Sequence, residues 1–167
     1  MLKVIVTGPE SSGKTTLAKK LCKHFKVPYI AEYSRVYLSR LERPYTQKDI
    51  LKIAKGHLAN ELSKQPFLLL DTDLITLKIW SEYKYGACDN LIISEIKNQK
   101  KELRIYLLCQ PDIPWKFDTQ RENAEDRDDL FNIYKKELNG RDYTIINGTR
   151  ENRFIHSVKK INNYLEK

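Results

Sequence analysis

No apolar run in this sequence approaches the ~20 residues needed to cross a membrane. The N-terminus lacks a basic patch leading into a long apolar stretch, which argues against a secretory leader and for a cytoplasmic setting. Cysteine is scarce. Cys22, Cys88 and Cys109 are far apart and odd in number, which argues against a disulfide framework or a zinc site and fits a reducing compartment. Cys22 and Cys109 fall in apolar patterns and read as small buried hydrophobes. The net charge is +8, yet no block of five or more lysines occurs, and basic and aromatic residues do not interleave as in single-strand binders. That scatter favours a solvated basic surface attractive to anionic substrates over a nucleic-acid site. Repeats, linkers and low-complexity tracts are also missing. The 167 residues are therefore expected to form a single domain, long enough to bury a full core.

What is present is an alternation of short apolar runs and amphipathic stretches, the pattern of an α/β domain with a mainly parallel sheet. Strands are predicted at Leu2–Val6, Pro28–Ala31, Phe67–Leu70, Leu103–Cys109 and Tyr143–Ile146. Most are continuously apolar, as expected where helices cover both faces of a sheet. A first helix carries Leu17, Leu21 and Phe25 at intervals of four. A second begins at "TQKD", where Thr46 and Asp49 make a capping-box pattern. Its Ile50, Ala54, Leu58 and Leu62 form one apolar stripe, read as core. Helices also fit the regions after Asp73, around Asp89–Gln99, after Asp126, and from Arg150 to the end. The expected fold is a doubly wound, five-stranded α/β domain.

Between the first strand and the first helix stands "GPESSGKTT", which matches G-x-x-x-x-G-K-[ST] from Gly8 to Thr15. Chance supplies such a match in on the order of one in a hundred chains this long. The glycines let the loop wrap closely, so that backbone N–H groups along Glu10, Ser11, Ser12 and Gly13 point at phosphate oxygens. The helix that follows, entered through Thr15 and Thr16, adds its N-terminal dipole. Lys14 can reach the β- and γ-phosphates of ATP, and Thr15 can hold Mg²⁺. "PFLLLDTD" ends a strand at Asp71, the position from which a carboxylate serves the metal in P-loop folds; a helix cap is the alternative.

Three features favour transfer of the last phosphate to a small molecule over a switch or a motor. The compact chain shows no Asn-Lys-x-Asp guanine-specificity sequence. "YIAEYSR" places Glu32, Tyr33 and Arg35 at the end of the second strand, where ligands gather in open α/β sheets. A carboxylate there can take the proton of an attacking hydroxyl, while an aromatic and an Arg hold the substrate. "WKFDTQRENAEDRDDL" reads either as a mobile lid, with Arg121 and Arg127 stabilising the transferring group, or as an ion-pair-rich surface. Aromatics cluster after the metal carboxylate at Trp80, Tyr83 and Tyr85, and "PDIPW" adds Asp112 and Trp115. Ile75, Ile79 and Tyr83 recur every four residues as a core stripe, and Trp80 reads more readily as core than as pocket. Trp115 follows a proline turn, from which it could stack on a planar base or a pyridinium ring.

"GPESSGKTTLA", "AEYSR", "RPYTQKDI", "DTDLITLKIWSEYKYG", "YLLCQPDIPWKFDTQREN" and "DRDDLF", in this order, resemble the ribosylnicotinamide kinase domain of NadR-type NAD-biosynthesis proteins. The resemblance covers most of residues 1–150. It implies a fold similar to nucleoside kinases and transfer of the ATP γ-phosphate to the ribose 5′-hydroxyl of nicotinamide riboside. It places Lys14 and Thr15 on ATP and Mg²⁺, Asp71 on the metal, and Arg121 and Arg127 on a lid at about residues 115–128. Glu32 is the favoured base, with Asp73 the alternative. Tyr33, Arg35, Asp112, Trp115 and Asn123 are expected along the acceptor pocket, and the loop near Gly148 beside adenine. NadR-type proteins often carry an adenylyltransferase domain and sometimes a DNA-binding domain. A chain of 167 residues that begins at the strand before the phosphate loop is expected to carry neither. Two other readings remain: a kinase of another nucleoside or nucleotide, and an ATP-binding regulatory module.

Overall fold

The computed structural model describes residues 1–61 and 67–166; Leu62, placed above on the apolar stripe, lies outside them. The elements in chain order are β1 (Leu2–Thr7), α1 (Lys14–Phe25), β2 (Tyr29–Ile30), α2 (Tyr33–Leu38), α3 (Gln47–Asn60), β3 (Phe67–Asp71) and α4 (Leu74–Tyr85). They continue with α5 (Asn90–Asn98), a 3₁₀ turn (Gln99–Lys101), β4 (Leu103–Cys109), α6 (Arg127–Glu137), β5 (Asp142–Ile146) and α7 (Arg150–Leu165). The strands form a five-stranded sheet in the order β2-β3-β1-β4-β5, and every pairing is parallel.

The continuous apolar character of β1, β3 and β4 follows from burial on both sides. Side chains alternate across a strand, so Ile5, Leu68, Leu70, Tyr106 and Leu108 pack under α3, α4, α5 and α6. Val4, Val6, Leu69, Ile105 and Leu107 face the other way, onto Leu17, Ala18 and Leu21 of α1 and Ile161 of α7. The helices start where their caps are. Thr46 and Asp49 close a capping box on α3, Asp73 and Asp89 cap α4 and α5, and the Thr149 hydroxyl accepts the Asn152 N–H at the head of α7.

Two elements depart from expectation. β2 shortens to two residues, and α2 was not foreseen: six residues span less than two turns, too few for a periodic signal. Because all strands are parallel, the loops after β1, β2, β3 and β4 emerge along the same edge of the sheet. Among the described residues, no helix is long and apolar enough to cross a membrane.

Candidate active site

The chain leaves β1 through Gly8, where a side chain is impossible: φ is +133°, and an added Cβ would stand 2.5 Å from the Cys109 carbonyl oxygen. Gly13, at φ +85°, caps α1 in the left-handed conformation. The loop between them wraps the N-terminus of α1, whose free N–H groups and dipole favour an anion. The Ser12 hydroxyl and the Lys14 ammonium both donate to the Pro9 carbonyl, at 2.8 and 2.7 Å.

Beside this loop, Thr15 Oγ1 and Tyr29 OH both donate to Asp71 Oδ2 at 2.7 Å. Asp71 is fully buried, and its Oδ1 has no hydrogen-bond partner. Burial, and after it the charge of Glu32, push the Asp71 carboxyl up. A divalent cation at Oδ1 would satisfy the orphaned oxygen and favour the ionised form. Among the described residues, no group of three or more His, Cys, Asp or Glu gathers as a metal cluster. Thr15 and Asp71 together would supply a divalent cation with two oxygens and leave the rest of its coordination to other oxygens, such as those of a phosphate.

A cavity of about 160 Å³ opens from the phosphate loop. Its walls are Glu32, Ser34, Arg35 and Leu38 at α2, Thr76, Ile79, Trp80 and Tyr83 on α4, and Leu130 and Tyr134 on α6. Gln120, Arg121 and Asn123 close it from the segment between β4 and α6. Glu32 is held from two sides: the Ser34 hydroxyl donates to Oε1 at 2.7 Å, and Arg35 Nε stands 3.5 Å from Oε2. Arg35 also bonds Asp118 at 2.7 Å, tying α2 to the segment between β4 and α6. Deeper in, Thr7, Thr76 and Tyr134 share hydroxyl contacts at 3.1 and 3.3 Å. Arg121 Nη1 donates to the Lys116 carbonyl, while its buried Nε has no partner. The arrangement sets an anion cradle, a buried carboxylate and a mixed aromatic and polar cavity edge to edge, with Glu32 between them. Chemically it suits movement of a phosphoryl group from the cradle to a hydroxyl in the cavity.

The cavity therefore brings together Gly8, Glu10, Ser11, Ser12, Gly13, Lys14, Thr15, Thr16, Glu32, Arg35, Arg121 and Asn123 of the residues singled out from sequence. Four expected in or near the acceptor pocket stand elsewhere. Tyr33 packs its ring against Gly56 of α3, where an added Cβ would lie 2.2 Å from it. Asp73 is 1% exposed, and both its oxygens are engaged: Oδ1 accepts the Ile75 N–H, and Oδ2 faces Tyr106 OH at 3.1 Å and Arg104 at 3.8 Å. Burial pushes its carboxyl up against the pull of Arg104, and this oxygen pair does not face the cavity. Asp112 accepts the Gly148 N–H at 2.7 Å and pairs with Arg153, on the side of the β5–α7 loop. Trp115 offers its face to the protein's own cations, with the Arg121 and Arg127 guanidiniums 6.0 and 5.7 Å from its ring centroid. Arg127 itself donates to the Ile113 carbonyl at 2.9 Å and does not line the cavity.

Trp80, read as core, is half-buried and lines the cavity, with its indole N–H on Tyr45 OH at 2.8 Å. Sequence reasoning followed the Ile75/Ile79/Tyr83 spacing. The adjacent Thr76/Trp80/Tyr83 spacing, also helical, marks the cavity face and was the available signal. Tyr29 and Arg153 were missed altogether. Buried Arg153 donates to the carbonyls of Gly148 (2.9 Å), Ser12 (3.0 Å) and Gln110 (3.0 Å) as well as to Asp112. One guanidinium thus joins the phosphate loop to the ends of β4 and β5.

An AAA domain family model (AAA_28) matches residues 3–153. The chain is 26% identical to the trifunctional NAD biosynthesis/regulator protein NadR of Escherichia coli (strain K12), over 95% of its own length and 41% of that protein's. The solved structure of a NadR protein in complex with NR aligns with a TM-score of 0.68 at 18% identity, covering 97% of this chain and 50% of the other. Deoxyadenosine kinase from M. mycoides, solved with dATP, aligns with a TM-score of 0.58 at 12% identity, over 96% and 99% of the two chains. The chain thus spans half or less of the NadR proteins it matches, and nearly all of a nucleoside kinase. It belongs to the AAA_28 family of AAA domains, is similar to NadR, and has the fold of solved NadR proteins and of a deoxyadenosine kinase.

Proposed function

We propose that this protein is an ATP-dependent kinase that phosphorylates the ribose 5′-hydroxyl of nicotinamide riboside to give nicotinamide mononucleotide. Residues 1–167 would act as one kinase domain, with residues 115–128 as its lid. The observation that carries this reading is the continuity of the cavity: its wall runs from Lys14 and Thr15 of the phosphate loop to Glu32, Trp80 and Asn123 without a break. Backbone N–H groups and Lys14 would hold the ATP phosphates, and Thr15 and Asp71 would hold Mg²⁺. That ion, when bound, supplies charge neutralisation at the phosphates. Glu32 would accept the proton of the 5′-hydroxyl, Arg121 would offset charge on the transferring group, and Trp80 would present its flat face to the pyridinium ring. Asp73 is set aside as the base, because both its oxygens are engaged and it does not line the cavity.

A second reading is a nucleotide acceptor. It is favoured by the two guanidiniums, Arg35 and Arg121, in the cavity wall, which suit an anion better than a pyridinium. The purified protein with Mg²⁺-ATP and a panel of nicotinamide riboside, cytidine, uridine, thymidine and their monophosphates decides between them by product mass. Nicotinamide mononucleotide is the expected dominant product. Lys14→Ala is expected to abolish it, and Glu32→Gln to lower kcat on the order of a hundredfold or more with little change in ATP affinity. Preference for a monophosphate would support the second reading, and normal turnover by both variants would overturn the kinase site.

A further inference from the structure

A carboxylate inside a loop built to cradle phosphates is repelled by its own ligand unless its charge is engaged elsewhere. Glu10 is such a carboxylate, and it does not turn into the cradle. Its Oε2 accepts the backbone N–H groups of Glu122 and Asn123, each at 3.0 Å. The next residue, Ser11, accepts the Lys116 N–H on its hydroxyl oxygen at 2.9 Å. Three N–H groups of the lid thus end on side chains from two successive positions of the phosphate loop.

The far side of the same lid residue is also engaged. The Glu122 carboxylate receives Lys84 Nζ at 2.9 and 3.0 Å and Tyr45 OH at 2.6 Å. The Lys84 ammonium stands 3.9 Å from the Tyr45 ring centroid. These outer contacts are solvent-exposed, and exposed ion pairs contribute little. Charge-assisted bonds from backbone N–H groups, which cost no side-chain entropy on the donor side, are stronger. The Glu122 N–H bond to Glu10 is itself exposed and the Asn123 N–H bond part-buried, so Glu10 engages the inner side of this segment while Lys84 and Tyr45 engage its outer side.

We propose that Glu10 is a positioning residue that latches the lid onto the phosphate loop, setting Arg121 and Asn123 at the cavity and restraining the opening through which ligands pass. The consequence for transfer rests on the kinase reading; the latch itself does not.

Limited trypsin digestion of the apo protein tests it, scored by mass at Lys116 and Arg121 in the lid and at Lys159 in α7. Glu10→Ala is expected to speed lid cleavage on the order of tenfold and leave cleavage at Lys159 unchanged. Glu10→Gln, which keeps a neutral acceptor, is expected to fall between, and it decides alone if Glu10→Ala does not fold. Unchanged lid cleavage would overturn the latch, as would equal acceleration at Lys159. With substrates present, both variants should hydrolyse more ATP per acceptor phosphorylated, a split that general loosening of the fold does not produce. If the wild type phosphorylates no acceptor, the kinase reading fails, and the digestion still decides the latch.

Discussion

Replacing Arg153 with alanine removes a side chain that ties the phosphate loop to the ends of β4 and β5. The guanidinium is buried and donates to three carbonyls, Gly148, Ser12 and Gln110, and to the Asp112 carboxylate. Hydrogen bonds to a charged group contribute about 1.5–3 kcal/mol each, but four such values do not add, because water can enter the space the side chain leaves. Breaking a buried pair by removing one partner costs about 3–5 kcal/mol. Asp112 keeps 26% of its side chain exposed and can rehydrate, which favours the lower end, about 3 kcal/mol. For a chain of this length that corresponds to a fall in Tm of roughly 6–12 °C. The same change frees the Ser12 carbonyl, so the cradle loosens and the KM for ATP should rise. Arg153→Lys keeps the charge without the planar fork and should recover only part of both losses. Thermal unfolding by circular dichroism and ATP saturation curves measure the two effects. A Tm within about 2 °C of wild type, with unchanged KM for ATP, would refute the argument that this guanidinium organises the site.

Asp71→Asn is expected to separate stability from activity. Burial and the nearby Glu32 charge raise the Asp71 carboxyl, so the folded protein holds this proton more tightly than the unfolded chain. Its contribution to stability is therefore present at low pH and lost as pH rises above the ordinary carboxylate range. The neutral amide escapes that loss. Apo Asp71→Asn should melt at or above wild type near pH 7 while Mg²⁺-dependent transfer collapses; a clear loss of stability at pH 7 would contradict this. Glu61 has the opposite sign. Burial opposes its ionisation, but His57, Arg104 and Lys3 outweigh burial and hold its carboxyl down at about 2. Its contribution, on the order of 3 kcal/mol, is present above pH ~4.5 and lost as pH falls toward 2. Urea midpoints of wild type and Glu61→Gln should therefore differ at pH 7 and converge in acid, and a gap independent of pH would exclude the ionic account.

The phosphate loop was legible because its chemistry is local. Gly8, Gly13, Lys14 and Thr15 lie within eight consecutive residues, and backbone conformation alone dictates the spacing. The parallel sheet was legible because burial on both faces writes continuous apolar strands. The cavity beside the phosphate loop was only half legible. Glu32, Arg35, Arg121 and Asn123 do line the cavity, but Tyr33, Asp112 and Trp115, from the same segments, do not. Sequence proximity assigns a residue to a loop; it does not assign the side on which its side chain emerges. Trp80 illustrates the converse. It sits on α4 next to Ile79, and both border a cavity whose other walls come from α2, α6 and the β4–α6 segment, all distant in sequence.

What the sequence alone determined is the set of local devices: the capped helices, the phosphate loop, and the strand that carries Asp71 beside it. Each follows from interactions among residues a few positions apart, or from an apolar run long enough to demand burial. Only the tertiary structure decided which distant groups share a charge. Asp73 was drawn to Arg104 and Tyr106, Asp112 to Arg153, and Glu10 to the N–H groups of a segment more than a hundred residues away. A buried or half-buried polar group must find a partner wherever packing places one, and that choice is a property of the whole fold.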